Sequence, residues 1–221
     1  MEIKVLRNIL NANDQMAARN RELLERHQIF TVNLMASPGG GKTTLIEATG
    51  AALKGRARVG VIEGDVSSSI DTEKLQAAGI TALQINTGGE CHLDASMVNL
   101  ALAELPLEEL DFLFIENVGN LICPAGFDLG EALKTVALST PEGDDKPYKY
   151  PGLFTIAGAV VVTKTDLLPH LNFKMDAFRK ALLAMNPEAP FFPLAAVTGN
   201  GIAAWADWLL GMREQQKAGG N

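Results

Sequence analysis

The sequence predicts one α/β domain, a mostly parallel sheet with helices on both faces. Three observations carry this expectation. Apolar runs of strand length alternate with helical segments, a glycine-rich turn joins the first run to a helix, and 221 residues that are 47% hydrophobic suit one well-buried core better than two. The runs Phe30 to Ala36, Arg58 to Ile62 and Ile80 to Ile85 are followed by helices from Lys42, from Asp71 and over Leu93 to Glu104. That is the βαβ rhythm that connects parallel strands. Four further buried strands are expected at Asp111 to Ile115, Thr135 to Leu138, Ala157 to Val162 and Phe191 to Leu194, with helices near Lys174 to Met185 and Ile202 to Leu210. Ligands of such a sheet gather at the carboxyl ends of its strands.

Ahead of the sheet, Glu2 to Arg26 places Val5, Leu6, Ile9, Leu10, Met16, Ala17, Leu23 and Leu24 at a helical period interrupted by Asn13 and Asn20. Residues 1–27 therefore read as an amphipathic helix packed on the flank of a main domain at 28–210, a partner-binding arm being the other reading. Pro141 to Pro151, PEGDDKPYKYP, is too polar and proline-rich for sheet or helix and reads as a long excursion. Residues 211–221 lose the apolar pattern and read as a flexible tail. Trp205 and Trp208 lie on an apolar helix face, as core residues do.

A net charge of -7 argues against docking on nucleic acid or an anionic membrane, since neither attracts an acidic surface. No apolar run approaches the roughly 20 residues that span a bilayer. Met1 to Asn20 also lacks the charged-then-apolar layout of a signal peptide, so the expected location is cytoplasmic. The only cysteines are Cys91 and Cys123, and in a reducing compartment they are expected as free thiols or metal thiolates.

The strongest chemical signal is Ala36-Ser37-Pro38-Gly39-Gly40-Gly41-Lys42-Thr43, which follows a strand, opens a helix and resembles a Walker A phosphate loop. Gly39, Gly40 and Gly41 let backbone N–H groups turn toward a β-phosphate at a helix N-terminus, with Thr44 in the same first turn. Lys42 would reach β and γ oxygens, and Thr43 would ligate Mg²⁺. The usual pattern begins with Gly where this chain has Ala36.

A second segment, from Asp111 through Glu116 to Gly119, resembles a Walker B strand with Glu as its acid. Glu116 could hold Mg²⁺ and the Gly119 N–H could contact a γ-phosphate, making Leu121 to Phe127 a switch released by hydrolysis. A solvated acid at a strand end is the bland alternative. Asp65 and Asp71 follow the second strand, and either could position Mg²⁺ or orient the attacking water; Asp71 equally suits a helix N-cap. The catalytic candidates are Lys42, Asp65, Asp71 and Glu116, and the magnesium candidates Thr43, Asp71 and Glu116.

Thr163-Lys164-Thr165-Asp166 resembles the guanine-reading N/TKxD motif. Two carboxylate oxygens of Asp166 match the N1–H and N2–H donors of guanine, donors that adenine lacks, and Lys164 would lie along the base. Thr163 replaces the usual Asn, and Ala195-Ala196-Val197 only loosely matches the loop that backs the base.

Taken together, IEGDV, QINTGGECHLDA, FIENVGNLICPAGFDLGE, EGDDKPYKYP and TKTDLLP resemble the hydrogenase-maturation nickel-insertion GTPases, the HypB family, over roughly Phe30 to Leu210. The resemblance implies a P-loop NTPase fold of the SIMIBI-type class that dimerises across bound nucleotide. It implies GTP/GDP, Mg²⁺ and Ni²⁺ or Zn²⁺ as ligands, with Cys91, His92 and Cys123 holding the soft metal. As a bare pattern, two Cys and a His without CxxC spacing also describe a thiol pair and a surface imidazole. The implied partners are a homodimer, an accessory nickel-binding maturation protein and the hydrogenase large-subunit precursor.

Some members carry an N-terminal cysteine cluster or histidine-rich store. Met1 to Phe30 has no Cys and only His27, so the expectation here is a weaker, GTP-responsive transfer site. Lys149 matches a family lysine that reaches the partner's nucleotide, while a solvated loop lysine is the alternative. His27 and His170 read as structural or surface residues. Competing functions are a urease-type nickel GTPase, which favours Cys-Pro-His where this chain has Cys91-His92, a nucleotide-gated scaffold without a metal role, and a small-molecule kinase.

Overall fold

The computed structural model describes residues 4–65 and 70–219, with side chains from Leu10 onward. The expected stripe residues Val5, Leu6 and Ile9 and the extreme tail at 220–221 lie outside the described side chains. In chain order the elements are α1 Lys4–Arg26, β1 Phe30–Met35, α2 Lys42–Leu53, β2 Val59–Asp65, α3 Ile70–Ala77, β3 Thr81–Asn86, α4 Ala95–Glu104, β4 Phe112–Glu116, β5 Leu133–Ser139, α5 Lys146–Lys149, α6 Pro151–Thr155, β6 Ala159–Thr163, α7 Met175–Met185, β7 Phe191–Pro193 and α8 Ile202–Gly219.

The strands form one seven-stranded sheet in the order β3-β2-β4-β1-β5-β6-β7. Every pairing is parallel. Alternate side chains feed opposite faces, as period-2 geometry requires. Phe112 and Phe114 of β4 pack with Leu45, Leu75 and Trp205 of α2, α3 and α8. Leu113 and Ile115 pack with Leu24 of α1 and Val98 and Leu102 of α4. Farther along that second face, Val160 and Val162 meet Phe154 of α6 and Phe178 of α7. Trp205 is fully buried and Trp208 packs partly buried beside it, so both belong to the core.

Four expectations need correction. Pro141 to Pro151 does form helical turns, at Thr140–Glu142, Lys146–Lys149 and Pro151–Thr155. Each has Pro in its first turn, where the missing N–H costs nothing. Helix α8 runs on to Gly219, well past Leu210, because Arg213 packs over the Phe112 ring and pairs with Asp111. β7 is a half-exposed edge strand, a position that tolerates Pro193. Asp71 lies inside the first turn of α3, so it is not the cap residue ahead of it.

Asn13 and Asn20, the breaks in the apolar stripe of α1, are its buried latches. Asn13 donates to Asp128 O at 2.8 Å and accepts from Ala95 N at 2.9 Å. Asn20 donates to Ala95 O at 2.8 Å and Leu129 O at 3.0 Å while accepting from Asn99. A buried amide that satisfies backbone groups of two distant segments fixes their spacing, whereas an apolar side chain would leave those groups unpaired. Asn20→Ala is expected to lose about 2 kcal/mol of stability by urea denaturation. A loss below about 0.5 kcal/mol, the usual range for surface substitutions, would contradict this role.

Candidate functional site

Between β1 and α2 the chain turns at the carboxyl edge of the sheet. Gly41 adopts φ 87°, a left-handed backbone that favours glycine, and its carbonyl accepts from Leu45 N at 2.9 Å to start α2. No side chain caps this helix, which leaves its first N–H groups to meet an anion. A cavity of about 290 Å³ opens here, lined by Gly39, Gly41, Lys42, Thr43, Thr44, Asp71, Glu116 and Lys164 among others. A larger groove of about 810 Å³ lies at the opposite edge of the sheet, near Gly50, Ile80 and Leu110, and holds no motif residue.

Because β1 and β4 are neighbours with Leu34 opposite Glu116, the strand delivers that carboxylate beneath the helix N-terminus. Thr43 Oγ1 donates to Glu116 Oε1 at 2.9 Å, and Lys42 Nζ stands 3.9 Å from the same oxygen. Oε2 is buried without a hydrogen-bond partner. Burial pushes the Glu116 carboxyl up to about 7; Lys42 and Thr43 oppose the rise, while Asp71 and Asp65 add to it. Glu63 lies directly across in register on β2, also buried, and accepts from Thr72 Oγ1 at 3.2 Å. Its carboxyl is likewise pushed up to about 7, first by burial, then by Glu116 and Asp65. The Thr43 hydroxyl, the orphaned Glu116 oxygen and the Asp71 carboxylate that lines the same cavity form a hard-oxygen donor set that fits Mg²⁺.

Asp71 lines the cavity and accepts from Lys74 Nζ at 2.8 Å, whereas Asp65, at the end of β2, is not among the lining residues. On the far side, β6 is stitched to the phosphate loop. Thr163 Oγ1 donates to Gly40 O and Lys164 Nζ to Gly39 O, both at 2.7 Å. Thr163, the departure from the usual Asn, thus uses its hydroxyl to tie the two motifs together. Asp166 follows in a short 3-10 turn and is exposed. The turn is fastened to the Ala195 loop by Thr165 N donating to Leu194 O at 3.2 Å. Lys149 is not brought to this cavity; it is exposed on α5 and pairs with Asp145 at 2.5 Å.

Cys91, His92 and Cys123 do converge. One sulfur or nitrogen atom from each lies within 4.8 Å of the others, with Cys91 exposed and the other two half-buried. Cys91 Sγ is 3.6 Å from His92 Nδ1, and contact with Cys123 pushes the Cys91 thiol up from its ordinary value. The His92 ring rests on Phe127 with centroids 3.9 Å apart.

This cluster touches the phosphate loop through the segment after β4. Asn117 N donates to Leu34 O at 3.1 Å and Asn120 N to Ala36 O at 2.8 Å. Between these bonds Gly119 presses on Pro38: a Cβ there would stand 2.9 Å from Pro38 N, so only glycine permits the approach.

A family model for the CobW/HypB/UreG nucleotide-binding domain matches residues 30–193. The hydrogenase maturation factor HypB of Rhizobium leguminosarum bv. viciae is 48% identical over 207 residues, 94% of this chain and 69% of that protein. The chain belongs to the HypB family. The structure of Helicobacter pylori HypB in complex with nickel superposes with a TM-score of 0.87 at 38% identity, covering 92% of this chain and 96% of that one. The signal recognition particle 54 kDa protein of Aeropyrum pernix K1, solved with GDP, shares the fold alone: TM-score 0.58 at 14% identity, over 86% of this chain and 49% of that one. This HypB-family chain is therefore a nucleotide-binding domain with the fold these structures share. None of its described helices is long and apolar enough to cross a membrane.

Four residues of the site escape a reading of motifs. Glu63 lies inside a strand, where an acid is easily taken for an outward-facing residue. Glu142 belongs to the 140s excursion, yet its Oε1 accepts from Ser139 N at 2.7 Å and its Oε2 from the phosphate-loop residue Ser37. Asn117 and Asn120 flank Gly119 in the ENVGN segment, and two amides between a buried strand and a loop were the available signal.

Glu63 and Glu116 hold their protons more tightly in the folded protein than the ordinary value of 4.5 allows. Folding therefore takes up protons between about 4.5 and about 7, and without Mg²⁺ or nucleotide the stability falls as pH rises through that window. Glu63→Gln is expected to remove part of the fall, of order 1–2 kcal/mol between pH 5 and pH 8 in chelator-treated protein. Identical pH slopes for the variant and the unaltered chain would contradict the assignment.

Proposed function

We propose that this chain is a GTP-hydrolysing metallochaperone that carries Ni²⁺, or Zn²⁺ in its place, on Cys91, His92 and Cys123 and serves nickel insertion into a nickel-iron hydrogenase precursor. The observation that carries this reading is the gathering of three soft ligand atoms within 4.8 Å, on a loop hydrogen-bonded to the phosphate loop and a second loop bonded to the first through Asn120. Thiolate and imidazole suit these borderline ions, and a water or a second protomer can complete the coordination. The exposure of Cys91 speaks against a scaffold whose thiols are merely packed.

In this reading Lys42 and the N–H groups of Gly39, Gly40, Gly41, Thr43 and Thr44 bind the phosphates, and Asp166 with Lys164 selects guanine. Thr43, Glu116 and Asp71 would hold Mg²⁺, which when bound neutralises charge on the β and γ oxygens. Asp71, lining the cavity, is favoured over Asp65 to orient the attacking water. The Gly119 N–H holds the γ-phosphate, and its loss on hydrolysis releases Leu121 to Phe127. Two copies pair across bound nucleotide in the cytoplasm, with Lys149 directed at the partner's phosphates. An accessory nickel-binding maturation protein and the hydrogenase large-subunit precursor stand on either side of the transfer.

The test is a titration of Ni²⁺ and Zn²⁺ into protein loaded with GDP or a non-hydrolysable GTP analogue, following thiolate absorbance and mass in solution. Metal affinity and association state are expected to differ between nucleotides; no difference in either sinks the proposal. Cys91→Ala should weaken Ni²⁺ binding more than about 100-fold, beyond the cost of losing an outer-shell partner, while GTP binding is retained. Stoichiometric metal on that variant at unchanged affinity would remove Cys91 from the ligand set.

A further inference from the structure

We infer that Asn120 is a positioning residue that links the phosphate loop to both thiol-bearing loops. This rests on the nucleotide-gated metal reading above and assigns the coupling to one side chain.

Asn120 makes three contacts that no neighbour duplicates. Its backbone N–H donates to Ala36 O, in the first residue of the phosphate loop, at 2.8 Å. Its Nδ2 donates to Cys91 O at 3.3 Å. Its Oδ1 accepts from Ile122 N at 2.8 Å, holding the turn from which Cys123 projects. One side chain therefore grips the backbone of the Cys91 loop and of the Cys123 loop, while its own backbone is tied to the nucleotide loop.

The surroundings determine where motion goes. Asn117 Oδ1 accepts from Leu93 N at 3.1 Å and Val118 N at 3.0 Å, and its Nδ2 donates to Asn33 at 3.2 Å. Asn33 in turn donates to Glu131 at 3.2 Å, and Glu131 accepts from Leu129 N at 2.7 Å and from Lys134 at 2.7 Å. This buried network pins both ends of the segment and, through Leu93, the residue that follows His92. The His92 ring also rests on Phe127, at the end of the segment. Displacement at Ala36 or Pro38 is consequently passed through Asn120 to the two thiols, while the imidazole stays anchored. The donor geometry at the metal changes without rupture of the core. Asn120 does not line the phosphate cavity, so loss of its side chain leaves the nucleotide contacts in place.

The experiment measures the Ni²⁺ Kd with GDP and with a non-hydrolysable GTP analogue in the full chain, in Asn120→Ala and in Asn120→Asp. Asp keeps an acceptor for Ile122 N–H but cannot donate to Cys91 O, so it separates the two halves of the grip. A Kd ratio clearly different from one is expected for the unaltered chain. In both variants the ratio should collapse to within about twofold of one, with analogue affinity unchanged, because a broken link removes coupling free energy and not the sites. A ratio of one in the unaltered chain defeats the nucleotide-gated reading itself. A ratio that persists in both variants overturns the role of Asn120 and leaves that reading standing. Should the variants fold poorly, the Asn120 side-chain NH₂ resonance of the unaltered protein decides: it shifts between the two nucleotide states, and an unmoved resonance overturns the inference.

Discussion

The adjacency of β1 and β4 at the centre of the sheet is the constraint on which the remaining features depend. With Leu34 opposite Glu116, the strand that ends in the phosphate loop and the strand that ends in the acid finish side by side. The chain leaving β4 then has no course except over that loop, fixed by Asn117 N to Leu34 O and Asn120 N to Ala36 O. A parallel sheet sends all its strand ends to one edge, so phosphate loop, acid, guanine motif and thiols share that edge. The proposed coupling needs no long wire, because the two sites are separated by a single hydrogen-bonded layer.

The same edge concentrates destabilising chemistry. Glu63 and Glu116 are buried on neighbouring strands, and one oxygen of Glu116 has no partner. An unpaired buried polar atom costs about 1–3 kcal/mol. The core beneath, where Phe112, Phe114 and Trp205 interdigitate, is extensive enough to offset it. Around the site, Asn33, Asn117 and Glu131 are fully engaged, which fixes the ends of the segment whose middle rests on the phosphate loop through Gly119 and Asn120.

Much of this was legible in the residues. Most of the seven strands hold short apolar runs, and observed ends differ from expected ones by at most three residues, as at β2, which extends to Asp65. The glycine-rich loop and the Thr163 to Asp166 segment are each unbroken stretches of sequence, so their likeness to known motifs is visible from spacing alone. What was not legible depends on partners distant in sequence. Asn20 looks like a flaw in an amphipathic stripe until Leu129, 109 positions away, appears beside it. Glu63 gains its character from burial first and then from Glu116 on the neighbouring strand, neither of which its local sequence announces. Arg213 extends α8 because Asp111 waits 102 positions earlier in the chain, and the prolines of the 140s initiate turns that composition alone reads as loop. Cys91 and Cys123 say little one at a time; the resemblance grouped them with His92, and the topology brings the three together.

Amide hydrogen exchange on the GDP-bound chain, with and without saturating Ni²⁺, tests the linkage between the two sites most directly. If thiols and phosphate loop are one hydrogen-bonded unit, metal binding alone slows exchange in the peptide spanning Ala36 to Thr44 as well as in those holding Cys91 and Cys123. Protection confined to the cysteine peptides, with the phosphate loop unchanged, would contradict the account.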